Sequence, residues 1–140
     1  MALVKKIERT TKVTREYYSD FVSSLQPAAG SKDIIRAVND NAIKTSIRNI
    51  LLTNFGERFF NYDFGSNIRA FLFEPIDTIT ESTLKTAIET SIVNFEPRAK
   101  IIDVIISGND QNNSYNVTIV FSTINTPDLQ QLDLILTRVR

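Results

Sequence analysis

The chain contains no cysteine and no histidine, and only four glycines in 140 residues. Without cysteine there is no disulfide frame, no thiolate metal site and no thiol nucleophile, a composition suited to a reducing cytoplasm. Without histidine the commonest general base and metal ligand is missing, and with it every Ser-His pairing. No catalytic, metal or cofactor site is therefore expected, and any residual chemistry would rest on carboxylates, Lys, Tyr, Ser or Thr. The scattered glycines fit no phosphate loop or dinucleotide fingerprint. No apolar run approaches the roughly 20 residues of a membrane span. The N-terminus, MALVKKIERTTK, has no apolar stretch after its charges, so a secretion signal is not expected. Sixteen basic residues balance sixteen acidic ones. Such a balance lacks the positive field that nucleic acid or an anionic membrane would need, and neither is an expected partner.

What is present is ordinary for one globular domain: 42% hydrophobic and 23% charged residues. The expectation is a single domain over 1–140, with 1–16 a flexible basic arm and 17–140 the folded core. The arm carries Lys5, Lys6, Arg9, Lys12 and Arg15 against Glu8 and Glu16, with Leu3, Val4 and Ile7 as its few apolar anchors. Tyr17 to Leu25 reads as a short strand broken by Pro27 and Gly30. Ser31 stands where an N-cap belongs, with Asp33 in the first turn. From there Ile34, Ile35, Val38, Ala42, Ile43, Ile47, Ile50 and Leu51 recur at three- and four-residue spacing, predicting one long core helix that ends near Asn54 and Gly56. Ser66 is placed to cap a short helix from Asn67 to Phe73. A third helix is expected to start at Thr80 and bury Leu84, Ala87, Ile88, Ile92 and Phe95, with a Glu81–Lys85 ion pair outside.

The period then changes. The run Ile101, Ile102, Val104, Ile105, Ile106 predicts a strand covered on both faces. Gly108 to Asn113 is a turn by composition, and Tyr115, Val117, Ile119 and Phe121 alternate as a half-buried strand should. Thr126-Pro127-Asp128 reads as a break before a last strand, Leu132 to Val139. The fold class is therefore α+β: two main helices plus a short one packed on a small antiparallel sheet with an exposed C-terminal strand.

Two stretches carry the functional signal. The last strand is apolar on one face through Leu132, Leu134 and Leu136, with Ile135 and Val139 opposite. Only Arg138 and Arg140 blunt it, weak protection for an edge, so it is either a central strand that happens to come last or a strand kept for pairing with another chain. Glu96-Pro97-Arg98 is the second. Proline drives Glu96 out of the helical region, and in the extended segment that follows residues i and i+2 face the same way. A carboxylate and a guanidinium therefore stand together at the helix-to-strand corner, as a local brace or as a grip on a partner. Glu57, Glu74 and Glu96 are the carboxylates a glycosidase would have to draw on, but each has a basic or structural neighbour that accounts for it, and spacing alone identifies no catalytic pair.

Leu51 to Pro75 (LLTNFGERFFNYDFGSNIRAFLFEP) and Phe95 to Ile106 (FEPRAKIIDVII) resemble the sheath-initiator, or baseplate wedge, subunits of contractile phage tails and related injection machines, including type VI secretion. Gly-Glu-Arg, Phe-Gly-Ser, Phe-Glu-Pro and Glu-Pro-Arg, in that order, carry the likeness, which spans roughly Asp33 to Phe121. The resemblance implies a structural subunit of the virion tail baseplate, assembled in the bacterial host cytoplasm. Glu96, Pro97 and Arg98 would dock it on the wedge's helical core bundle. The strands from Ile101 onward, with Leu132, Leu134, Leu136 and Arg138, would pair with the first ring of tail sheath protein. Its partners would be sheath, other wedge subunits and proteins near the tail tube, with no small-molecule substrate. The same family has carried a lysozyme label, so a peptidoglycan-cleaving glycosidase is the alternative that the resemblance brings with it. The single-domain form fits a phage better than a cellular injection system.

Overall fold

The computed structural model describes residues 15–22, 25–27, 30 and 33–138. Residues 1–14 of the expected arm over 1–16, the Ser31 cap, Val139 and Arg140 lie outside the described residues. Two short strands, β1 (Ser19–Phe21) and β2 (Arg36–Val38), pair antiparallel as a ribbon. Helices α1 (Asp40–Leu52), α2 (Ile68–Phe71) and α3 (Thr78–Phe95) follow. Strands β3 (Ala99–Asn109), β4 (Ser114–Thr123) and β5 (Thr126–Thr137) then form an antiparallel meander in the order β3-β4-β5. α3 packs on β3, and α1 packs beside α3 toward β5. The α+β class is as expected.

The first helix is shorter than its apolar stripe predicts. Ile34 and Ile35 are partly exposed in the approach to β2, and Val38 belongs to β2 itself. Asn39 is the reason. It adopts a left-handed φ of 52°, turns the chain out of the ribbon, and its side-chain oxygen accepts from the Tyr17 amide at 2.8 Å. β-branched residues satisfy a strand as readily as a helical stripe, so tertiary pairing with β1 decided the matter. Within α1 proper, Ala42, Ile43, Ile47, Ile50 and Leu51 are buried as expected.

Caps also moved. Ser66 does not cap α2. Its hydroxyl donates to the Leu51 carbonyl at 2.8 Å, closing the end of α1 instead. α3 begins before Thr80, because the Asp77 carboxylate accepts from the Thr80 amide at 2.6 Å and serves as its N-cap. Glu81 and Lys85 do not pair: Glu81 accepts from the Gly108 amide, and Lys85 reaches Asp103 at 2.9 Å.

β3 is covered on one face only. Val104 is buried, but Ile102 and Ile105 are each about half exposed, with a bulge between Ile101 and Asp103. One solvated face is normal for an antiparallel sheet. The presumed break at Thr126-Pro127-Asp128 is the start of β5, and the turn falls at Ile124-Asn125. Proline fits there because β5 is an edge strand. Tyr115, Val117, Ile119 and Phe121 bury fully against Leu84, Ile88 and Ile92 of α3. Such side chains each contribute about 1.5–3 kcal/mol by leaving water.

One core group is imperfectly served. The Tyr115 hydroxyl is buried with no hydrogen-bond partner among the described residues. Tyr115→Phe is expected to leave the fold unchanged and raise stability by about 1 kcal/mol, read as a higher urea midpoint at constant slope.

Candidate assembly surfaces

Glu96 and Arg98 meet as their spacing predicts, but inside the protein. α3 ends at Phe95, Pro97 extends the chain, and the Arg98 fork donates Nε to Glu96 Oε1 at 2.5 Å and Nη2 to Oε2 at 2.6 Å. Glu96 is only 1% exposed. Burial alone would push its carboxyl up, but the Arg98 fork and then the Ser46 hydroxyl of α1 outweigh it and hold the group below its ordinary value. Arg98 lies 5.0 Å over the Tyr18 ring, and its carbonyl accepts from the Ile124 amide at the β4–β5 turn. Tyr18 in turn accepts from Asn125 at 2.6 Å. One ion pair therefore ties α1, α3, the approach to β1 and the β4–β5 turn together. About two-fifths of the Arg98 side chain stays exposed, so its outer donors can still meet a neighbouring acceptor.

The second surface is the free edge of β5. The Arg138 amide donates to the Asn113 carbonyl at 3.3 Å. In an antiparallel ladder such hydrogen-bonded partners recur every second residue. Leu136, Leu134 and Leu132 therefore turn their backbone groups to Tyr115, Val117 and Ile119. Their side chains are buried in the core. The alternate residues Gln131, Asp133 and Ile135 aim N–H and C=O away from β4, along an edge that no strand covers among the described residues. Ile135 is 71% exposed on the outer face. Asp133 is held there by Gln131 and then Thr118, whose hydrogen bonds keep its carboxyl below the usual range. The Arg138 side chain covers Phe73 at 5.0 Å.

A third feature was only half legible. The aromatic stretch after α1 forms a closed loop. The Gly56 amide donates to the Tyr62 carbonyl at 2.8 Å, Glu57 Oε2 accepts from the Asn54 amide, and the Ser66 amide returns to the Thr53 carbonyl. Arg58 stacks on Phe64, which packs on Phe95. Phe59, Phe60 and Tyr62 are turned outward, Phe60 fully exposed at a φ of 67°. Rigid exposed aromatics of this kind are the make-up of interface anchors. The density of aromatics was visible in the sequence; their direction was not.

Two of the three carboxylates that a glycosidase would have to draw on are otherwise engaged. Glu57 closes the loop and Glu96 is ionised in a fork, whereas a general acid needs a raised pKa. Among the described residues no His, Cys, Asp and Glu cluster is arranged to hold a metal.

Several known proteins are similar to this chain in sequence or fold. The chain is 33% identical over 105 residues, covering 74% of itself and 80% of the relative, to the baseplate wedge protein gp25 of Enterobacteria phage T4. Among solved structures, a protein from Geobacter sulfurreducens described as a tail lysozyme superposes with a TM-score of 0.64 at 26% identity, over 70% of this chain and 89% of that one. A chain of the anti-feeding prophage baseplate shares the fold with a TM-score of 0.61 at 22% identity, over 86% of this chain and 85% of that one. The family described as Baseplate wedge protein gp25 matches residues 37–128, a span that holds the closed loop, the Glu96–Arg98 corner and most of the sheet. With that match and the T4 relative, the chain belongs to the gp25 family of baseplate wedge proteins.

Proposed function

We propose that this protein is a non-enzymatic scaffold of a contractile-tail baseplate, made in the host cytoplasm and retained in the virion. It docks on the wedge core through the Glu96-Pro97-Arg98 corner and presents the β5 edge to the first ring of sheath protein. The observation that carries this reading is a strand of twelve residues whose outward amides have no partner strand among the described residues. Main-chain hydrogen bonds would supply the pairing. Leu132, Leu134 and Leu136 contribute by fixing the register of β5 from within the core, since a one-residue slip would expose all three. Family membership and the engaged state of Glu57 and Glu96 support a structural rather than hydrolytic role.

Deleting the last strand would remove core leucines and prove nothing, so the test must block the edge alone. Gln131→Pro and Ile135→Pro remove outward amides while sparing the ladder to β4. Both variants are expected to fold and enter baseplates, with sheath polymerisation from those baseplates reduced about tenfold or more. Normal sheath growth on baseplates carrying either variant would overturn the proposal.

A further inference from the structure

The formal charge of the chain is zero, yet cations flank the β5 edge from Leu132 to Arg138, whereas the groove at Gln130 carries Glu16 and Asp40. One groove beside it is lined by Arg36 of β2, by Lys44 and Arg48 of α1, and by Leu132. A second groove continues along the same strand, where Arg69 and Arg138 border the apolar Leu52, Phe73 and Ile135. Neither groove has an aspartate or glutamate in its lining. Among the described residues, no carboxylate lies within ion-pair distance of Lys44, Arg48, Arg69 or Arg138, and Arg36 has only a 3.9 Å contact with Glu16. Lys44 is close enough to the strand to help hold down the Asp133 carboxyl, after the stronger hydrogen bonds from Gln131 and Thr118.

We infer that the segment completing β5 is an extended acidic strand of a partner protein, its carboxylates set at alternate positions against Lys44 and Arg48 and an apolar residue seated by Leu52 and Phe73. The inference rests on the strand-pairing reading above and adds the chemistry of the occupant. A strand laid beside β5 turns every second side chain toward the helix layer, where these cations stand. Like-charged or uncharged segments would forgo that attraction, so the cations select as well as bind. The chain's own N-terminal sequence is a poor occupant, with Lys5, Lys6, Arg9 and Lys12 against Glu8. Nucleic acid would use the cations but not the open amides of Gln131, Asp133 and Ile135.

The test uses the full chain, amide-labelled, with peptides of about nine residues that span most of β5 at strand rise. One alternates Glu with Val, one Gln with Val and one Lys with Val. Expected is binding of the Glu peptide about tenfold tighter than the Gln peptide at low salt, with slowed exchange of the Gln131, Asp133 and Ile135 amides. The preference should shrink in about 1 M salt, and the double variant Lys44→Glu, Arg48→Glu should favour the Lys peptide. Equal slowing by the Glu and Gln peptides would leave sheet extension standing and overturn the acidic partner. If neither peptide slows those amides, strand pairing falls with it. Glu-peptide binding without β5 protection, or full competition by a single-stranded oligonucleotide, would overturn the inference in favour of simple ion capture or nucleic acid.

Discussion

Arg98→Ala is expected to lower unfolding stability by about 2–3 kcal/mol at neutral pH. Removing one partner of a buried ion pair strands the other charge, and the figure is discounted because the Arg98 side chain is 39% exposed. The cost should depend on pH in a defined direction. In the wild type the Glu96 carboxyl sits below its ordinary value. Its contribution is therefore complete above the unfolded pKa and lost as pH falls through the folded one. In Arg98→Ala burial acts with less opposition and the same carboxyl rises, so the variant is most impaired at neutral pH and recovers ground on acidification. Urea titrations at about pH 7 and about pH 3.5 read both effects, bracketing the ordinary glutamate range. A pH-independent loss would mean that Arg98 matters through its packing on Tyr18 rather than through Glu96. The double replacement Glu96→Leu, Arg98→Leu separates brace from dock: removing both charges should restore much of the stability. If that variant also enters wedges normally, the docking role of the corner is refuted.

Gly65→Ala is the other large effect, expected to cost about 3 kcal/mol or more and to lower the melting temperature by about 10 °C. A Cβ at Gly65 would lie 2.4 Å from the Thr53 carbonyl oxygen, a backbone atom that cannot swing aside, and the residue has a φ of 120°. That carbonyl also accepts the Ser66 amide, so the clash would break the seam holding the aromatic loop to α1. Gly56→Ala is the control. It shares a positive φ of 79° but meets nothing within 4 Å, so it should cost only about 1 kcal/mol. Similar losses at both sites would mean that backbone conformation, not close approach, makes Gly65 necessary.

These two sites also show what the sequence made legible. The Glu96–Arg98 pairing followed from proline and two-residue spacing, which act locally and survive in any tertiary setting. Its burial did not, because Ser46, Tyr18 and Ile124 arrive from distant parts of the chain. Phe-Gly-Ser was visible as a motif, but Ser66 looked like a cap for the helix after it, whereas it closes the one before it. A hydroxyl beside two helices carries no local sign of which it serves. The long first helix failed for the opposite reason: Ile34, Ile35 and Val38 fit the helical stripe by coincidence, and the Asn39 clip to Tyr17 was invisible without the ribbon. The last strand was read correctly as an edge. Its leucines looked like the pairing surface because alternation shows which side chains share a face, not which amides face outward.

The arginines and lysines beside β5 have a consequence for the protein before it is incorporated. Two newly made copies approaching edge to edge would bring Lys44 and Arg48 of each toward the same residues of the other, and the repulsion would discourage a homotypic ribbon. If the acidic-strand inference holds, a solitary subunit is thus discouraged from capping its own kind, and its β5 edge is kept for a segment of opposite charge.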